Sequence, residues 1–334
     1  MPFTPGSLHF GCESYTKPLP PSAGSLIVWF KSCFIYQIRD AEFADRCAAS
    51  QLTAQHGFND CLPTQPVSLG LVPPHRGLSE LQLTSRQILV WKLQRQERLL
   101  PTSVVNETLA ERVEALQEAE SRRVGRNERQ DLKDEITQEL LPRAFTRNQQ
   151  HMIVLDRDSG WLFVQSGSET RADELTAHLR EVLGELPVVP LGALCQPEPV
   201  WAAWLSSGDL PADVEVADEL TLVHPAEEST VRTKQLPWDS AEVQQLLTSG
   251  YRPSQLLLHW QDQLTLQIND KSALKRLKFA DELIEQAAND GGDDALAEWE
   301  AGLHLMTAAL RTFSNAWLEW CQSDPAPEPK PSNS

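Results

Sequence analysis

The residue types that do chemistry are present in this chain, but their spacing assembles no catalytic or metal site. None of the eight histidines lies four residues from another, the spacing that holds a metal on one helix. The six cysteines include no C-x-x-C pair, and no G-x-x-x-x-G-K phosphate loop or G-x-S-x-G nucleophile turn occurs. We therefore expect no metal, no cofactor and no enzyme activity. An enzyme stays an alternative, because catalytic groups can come from distant positions.

The charged residues are unevenly distributed along the chain. The net charge of −18 disfavours nucleic acid as a partner, because phosphate binding needs Lys and Arg. However, seven acids fall in Asp209–Glu228 and eight in Asp281–Glu300, and neither range holds a Lys or Arg. The range Ser121–Lys133 has the opposite character, with the cations Arg122, Arg123, Arg126, Arg129 and Lys133. A molecule with acidic outer faces and one basic surface can bind DNA, and the acidic faces would repel DNA from the wrong sides.

Apolar residues recur at helical spacing on both sides of this basic stretch. They follow one narrow stripe over Val105–Leu116 and a second over Leu132–Leu140. The pattern predicts an antiparallel helical hairpin that turns near Gly125 and carries the arginines at its tip. Seventeen helical residues span about 25 Å, so the arm would stand out from the body. The alternative is an ordinary surface hairpin with solvated charges.

A second group of cations lies near the C-terminal end. Ser272 can cap a helix that begins at Ala273, which would place Lys275, Arg276 and Lys278 in its first two turns. Cations are unfavourable there, because the helix dipole favours negative charge at this end by about 0.3–1 kcal/mol per group. Either neighbouring carboxylates compensate for these cations, or the cluster meets an anion such as a phosphate.

The remaining pattern mixes strands and helices without strict βαβ alternation, which predicts an α+β fold. We expect a first strand from Val28, a loop over Leu69–Pro74, a β-hairpin around Asp156–Gly160 and a long helix near the C-terminus. No apolar run is long enough to span a membrane. The predicted organisation is a disordered tail (1–27), a first α+β part (28–100), the helical hairpin (101–142), a second α+β part (143–321) and a disordered C-terminal tail (322–334). Val28 is a candidate start of translation.

Several segments of the sequence resemble the RdgC family of bacterial recombination-associated proteins. The resemblance covers residues 28 to about 320. The segments that carry it are Leu132–Glu135, Leu140–Arg147, Leu186–Leu191, Ser272–Leu283, Trp29–Lys31 and Leu305–Thr307.

The resemblance implies a mixed, multi-subdomain α+β chain that forms a ring-shaped homodimer with a positively charged hole. It implies binding to double-stranded DNA, and more weakly to single-stranded DNA, with little sequence preference and with restraint of RecA-mediated recombination. It also implies that the helical hairpin helps DNA to enter the ring, and a cytoplasmic, nucleoid-associated location. Arg143 falls on a family position tied to DNA contact, and Phe145 on one tied to the dimer interface. The alternative for Phe145 is a plain core residue.

One basic patch of the family is reduced in this chain. Arg232 and Lys234 remain from it, and Tyr251 stands where a lysine can occur, next to Arg252. We keep Arg232, Lys234 and Arg252 as predicted DNA contacts, with weaker or more salt-sensitive binding. The alternative function is an acidic interaction module that acts on a recombination protein directly, with DNA binding incidental.

Overall fold

A computed structural model describes residues 29–50 and 52–322 of the chain. These residues form eight α-helices and twelve β-strands, which confirms the predicted α+β class. The strands are β1 (Ser32–Ile38), β2 (Val67–Val72), β3 (Gln82–Ser85), β4 (Ile88–Leu99), β5 (Phe145–Asp156), β6 (Trp161–Val164), β7 (Val188–Pro190), β8 (Val214–His224), β9 (Ser229–Arg232), β10 (Arg252–Trp260), β11 (Leu264–Asn269) and β12 (Leu274–Phe279). The helices are α1 (Phe43–Ala49), α2 (Thr102–Glu120), α3 (Arg126–Leu140), α4 (Glu169–Leu183), α5 (Pro197–Ser207), α6 (Ala241–Thr248), α7 (Asp281–Gly291) and α8 (Ala295–Gln322).

All twelve strands belong to one sheet, and every strand pair in it is antiparallel. Its order is β2-β4-β5-β6-β1-β12-β11-β10-β8-β9, while β3 adds to β4 and β7 adds to β1. Strand β1 joins the two halves, because it pairs with β6 along most of its length and with β12 at Ser32 and Cys33.

Two apolar clusters cover the sheet, one on each face. Helices α5, α6 and α8 pack on the first face, where Trp201, Phe313 and Trp317 are almost completely buried. Helices α1 and α4 pack on the second face over β1 and β4–β6, where Phe43 of α1 and Leu175 of α4 are almost completely buried. No described helix covers the second face over β8–β12, which leaves the alternate side chains of those strands partly or fully exposed.

The two predicted helical stripes lie on α2 and α3, which pack against each other. Val105, Leu109, Val113 and Ile136 form a small buried cluster of their own. The Arg112 guanidinium of α2 bonds the Glu139 carboxylate of α3 at 2.9 Å. Both helices are inserted between β4 and β5, whose facing ends Leu99 and Phe145 are directly paired.

The predicted helix at Ala273 is wrong, because Leu274–Phe279 is strand β12. Its apolar residues Leu274 and Leu277 are three apart, a spacing typical of a helix. Here the spacing comes from a β-bulge, in which Arg276 and Leu277 face the single residue Leu266 of β11. Arg276 adopts the left-handed conformation with φ of 50°. The helix begins only at Asp281, with two acids in its first turn, where the dipole favours them.

The predicted loop over Leu69–Pro74 is also wrong, because its first four residues belong to β2. Gly70 suggested a turn, but it lies within the strand for a different reason. A Cβ there would lie 2.5 Å from the Phe58 Cα, so the neighbouring backbone approaches too closely for any side chain. Strand β2 ends immediately before Pro73 and Pro74.

The two ends of the chain lie outside the described residues. The predicted tails at 1–27 and 323–334 therefore stay predictions. The predicted first strand from Val28 is wrong in its start, because Trp29–Lys31 lie outside β1, which begins at Ser32. Gln322, predicted as the first residue of the C-terminal tail, is the last residue of α8. Within the described ranges, no helix is long and apolar enough to cross a membrane.

Candidate nucleic-acid interface

The uncovered face of β8–β12 carries polar and cationic side chains in ordered rows. Strand pairing places His259, Thr265 and Lys278 in one row across β10, β11 and β12. The next row holds Leu257, Gln267 and Lys275. We call this surface the open sheet face and define it by Gln255, Leu257, His259, Thr265, Gln267, Lys275 and Lys278.

The bulge in β12 decides which cations reach the open sheet face. In a regular strand, residues three apart such as Lys275 and Lys278 point to opposite faces. The extra residue at the bulge restores them to one face, while Leu274, Leu277 and Phe279 turn into the core. Both lysines are exposed, and neither forms an ion pair within the described part of the chain. Their ammonium groups are therefore available to a phosphate.

Arg276 occupies the bulge and has a protein partner. Its guanidinium bonds the Glu219 carboxylate of β8 at 2.7 Å. A phosphate at Arg276 would have to compete with the Glu219 carboxylate. Arg276 is therefore less available as a DNA contact than Lys275 and Lys278.

Lys31 lies next to this cluster, although it is not among the DNA contacts predicted from the sequence. It directly precedes β1, where Ser32 pairs with Lys275, and its carbonyl accepts a bond of 3.0 Å from the Leu277 N–H. The Lys31 side chain is exposed. The only sequence signal was its place in the Trp29–Lys31 segment, which gave no hint that β1 pairs with a strand more than 240 residues away.

The residues of the reduced basic patch lie at the other side of this half of the sheet. Arg232 ends β9 opposite Thr221 of β8, and Thr221 in turn pairs with Gln255, so the three share the open face. Lys234 is exposed just after β9. The Arg252 Nε lies 3.8 Å from the Glu198 carboxylate at the start of α5.

The arginines between the stripes cluster around the short connection from α2 to α3. We call Arg122, Arg123, Arg126 and Arg129 the arginine-rich connection; all four are exposed. Arg122 is bonded by Glu128 and Glu120, each at 2.6 Å. Glu128, followed by Glu120, raises the pKa of the Arg122 guanidinium, and Arg122 lowers the pKa of the Glu128 carboxyl.

The other members of the arginine-rich connection have no ion pair among the described residues. Free cationic charge at this site therefore comes from Arg123, Arg126 and Arg129. Lys133 is half-buried one turn further along α3.

Arg143 and Phe145 lie where the chain leaves α3 and enters β5. Arg143 is exposed in a short 3-10 turn, Leu141–Arg143. Phe145 is 85% exposed, more than any other large hydrophobic residue that the structure describes. The alternative of a plain core residue is therefore wrong for Phe145.

The described residues contain no group of three or more His, Cys, Asp or Glu side chains placed to hold a metal ion. The open sheet face instead carries dispersed cations with amide and hydroxyl groups between them, and the exposed Glu215 of β8 borders it beside His259. Such a surface can bond phosphate oxygens at many positions without reading bases.

Comparison with known proteins identifies the chain's relatives. The family model described as "Putative exonuclease, RdgC" matches residues 28–323. A recombination-associated protein RdgC of Halorhodospira halophila is 33% identical over 301 residues, covering 90% of this chain and all of the relative. One from Pseudomonas fluorescens is 35% identical over 309 residues, covering 90% and 99%, and one from Pasteurella multocida is 33% identical over 295, covering 88% and 97%. These matches agree with the resemblance of the sequence segments, and the chain belongs to the RdgC family.

Proposed function

We propose that this chain binds double-stranded DNA through the phosphate backbone, with little sequence preference, and single-stranded DNA more weakly. The observation that carries the proposal is the open sheet face. Lys275 and Lys278 stand there in adjacent rows with no carboxylate partner in the described part of the chain. Lys31 directly precedes β1, which pairs with β12, and Arg232 ends β9 at the far edge of the same half of the sheet. Contacts of this kind position DNA but carry no sequence information.

The acidic net charge is compatible with this function. Exposed glutamates lie on α2, at Glu107, Glu111, Glu114 and Glu118, and two acids open α7. These groups would repel DNA from the outer surface and leave the open sheet face as the approachable side. Binding should then fall steeply with salt, because each neutralised phosphate releases counterions.

We further propose that two copies close around the duplex as a ring and so restrain RecA-mediated recombination. The family membership and the names of the relatives support a role in recombination. The exposure of Phe145 supports a contact between copies, because an aromatic side chain that is 85% exposed gains the most from burial against a partner. A ring also explains how a protein could hold DNA without reading its sequence.

Helices α2 and α3 have the form of a loading arm in this proposal. Their buried cluster is confined to Val105, Leu109, Val113 and Ile136, so they pack mainly on each other. The arginine-rich connection lies at the far end of both helices from the β4–β5 strands that carry them. Such an arm could open locally at modest cost and guide DNA into the ring.

We propose binding and not cleavage as the activity, against the nuclease alternative. The cations of the open sheet face are spread over rows of a sheet and do not converge in a cleft. Incubation of plasmid with the protein and a divalent metal tests this directly. Nicked or degraded DNA would establish an enzyme.

The second candidate is an acidic module that binds a recombination protein directly. The exposed acidic row along α2 favours it. A mobility-shift titration separates the two, because direct DNA binding with a steep salt dependence supports only the DNA-binding function.

The decisive experiment compares closed circular with linear DNA. Protein is bound to both at low salt and then challenged with high salt. A ring should stay on the circle and slide off the ends of the linear DNA. Equal loss from both would contradict encirclement, and no binding to either would favour the acidic module.

A further inference from the structure

Strand β5 has a free edge over its first seven residues. On one side, β4 pairs with it along its whole length without a register shift. On the other side, β6 pairs only with Ile153, Val154 and Leu155. The Gln165 N–H extends this contact by one bond of 2.9 Å to the Met152 carbonyl. Residues 145–151 therefore have no strand neighbour on that side within the described residues, and we call them the free edge.

The contact at Met152 shows which residues of the free edge turn their backbone N–H and C=O groups outward. Neighbouring residues of a strand send their backbone groups to opposite sides, and Met152 points toward β6. Thr146, Asn148 and Gln150 therefore point outward as well. All three residues are exposed, and their outward N–H and C=O groups have no partner in the described part of the chain. An edge of this kind is a template for another strand.

The free edge lacks the features that usually prevent such pairing. It contains no proline, no lysine and no bulge. Exposed apolar residues accumulate beside it, since Phe145 and the paired Leu99 are 85% and 43% exposed. Leu62, which is 65% exposed, is tied to the same end by its carbonyl, which accepts a bond of 3.3 Å from the Arg98 Nε.

We propose that the free edges of two copies of this chain pair with each other, antiparallel, across a two-fold axis at Asn148. In this register Asn148 faces Asn148 of the second copy and Thr146 faces Gln150. The sheets of both copies then become continuous. The proposal rests on the homodimer of the proposed function and specifies one of its contacts.

A second copy fits the free edge because the segment is self-complementary, as a two-fold interface requires. Its one charged residue, Arg147, is already bound to Glu97 and would face Gln149 of the other copy. Phe145 would face His151 of the other copy. The next residue, Met152, is already bonded by Gln165, so the free edge ends there. The entering strand therefore has the same length as the space that it fills.

The two neighbouring registers are less favourable. A shift by one residue toward the start of β5 places Arg147 directly opposite Arg147 of the second copy, and like charges opposite each other destabilise a strand pair. A shift the other way places Phe145 opposite Ile153, whose edge β6 already occupies. The axis at Asn148 avoids both conflicts.

Site-directed disulfide formation in the purified full chain tests this register. Residues that exchange both backbone bonds have Cα atoms about 5.5 Å apart, within the range of a disulfide. Asn148→Cys should therefore link to itself across the dimer under mild oxidation by air and a copper catalyst. Thr146→Cys should not link to itself, because its two copies would lie about 14 Å apart at 3.4 Å per residue. Thr146→Cys mixed with Gln150→Cys should link.

The controls distinguish this proposal from the homodimer itself. The unaltered chain reports any linkage through its own cysteines, and His259→Cys on the open sheet face reports chance collisions. Asn148→Pro removes an outward N–H that β4 does not use, so it should abolish the mixed Thr146–Gln150 linkage while circular dichroism stays that of the folded chain. A chain that sediments as a dimer without the Asn148→Cys linkage would overturn the edge pairing alone. A chain that sediments as a monomer would overturn the edge pairing and the homodimer together.

Discussion

Removal of a single ammonium group from the open sheet face should weaken DNA binding by an amount that counterion release sets. Lys278→Ala and Lys275→Ala each remove an exposed cation with no carboxylate partner among the described residues. Each neutralised phosphate contributes about 0.9 to the slope of log affinity against log salt, so a two-fold dimer should lose about 1.8 per substitution. At about 0.1 M salt, a tenth of the 1 M reference, that slope change corresponds to about a 60-fold loss of affinity.

Fluorescence anisotropy with a labelled duplex over about 50–200 mM salt measures both the slope and the affinity. Lys271→Ala is the matched control, because it changes the net charge equally but removes a lysine that Glu169 already holds at 2.6 Å. Arg276→Ala should have an intermediate effect, since Glu219 competes for its guanidinium. Thermal unfolding of the surface variants should stay within about 0.5 kcal/mol of the parent. An unchanged slope for both open-face variants, or an equal loss for Lys271→Ala, would refute the assignment of this face.

Four further outcomes test the rest of the proposal. Unrelated duplexes of equal length should bind with nearly equal affinity, because phosphate contacts carry no sequence information, and a consensus emerging from selection on random DNA would contradict this. Deletion of residues 1–27, which lie outside the described ranges and outside the family match, should leave DNA affinity and dimerisation unchanged; a loss of either in titration or sedimentation would show that the tail matters. Alanine at all four positions of the arginine-rich connection should leave a folded dimer in ultracentrifugation but should reduce binding, most of all to closed circular DNA. Dissociated subunits, or undiminished binding to closed circular DNA, would contradict the loading role. Phe145→Ala should weaken the association of the two subunits in ultracentrifugation without lowering the thermal stability of the fold, because the side chain is 85% exposed. A lower thermal stability with unchanged subunit association would instead indicate a role within the subunit.

Local patterns were enough to predict some elements of the fold. The stripes over Val105–Leu116 and Leu132–Leu140 lie on α2 and α3, because a helix repeats every 3.6 residues and its contacts are close in sequence. The hairpin around Asp156–Gly160 joins β5 to β6 for the same reason, since its turn residues and alternating flanks are adjacent. The family resemblance was also carried by short ordered segments of the chain and agrees with the match over 28–323.

Other elements could not be predicted because distant strands determine them. The segment Leu274–Phe279 has the apolar spacing of a helix, and only its pairing with β11 and β1 makes it a bulged strand. The exposure of Phe145 could not be predicted either, because an aromatic residue at the start of a strand is compatible with a core position and with a surface position. In the tertiary structure this side chain is 85% exposed, at the end of β5 that β6 does not reach.

The sequence by itself determined the fold class, the family and the positions of most cations along the chain. Only the tertiary structure decided which of them share a surface. Lys275 and Lys278 reach one face through a bulge, and Arg232 joins them through strand register. Lys31 lies beside them because its carbonyl accepts a bond from the Leu277 N–H, while Arg122 and Arg276 are each held by carboxylates. The physical reason is that the side-chain direction in a sheet alternates with every residue, so a single inserted residue or a shift of register changes the face on which a charge lies.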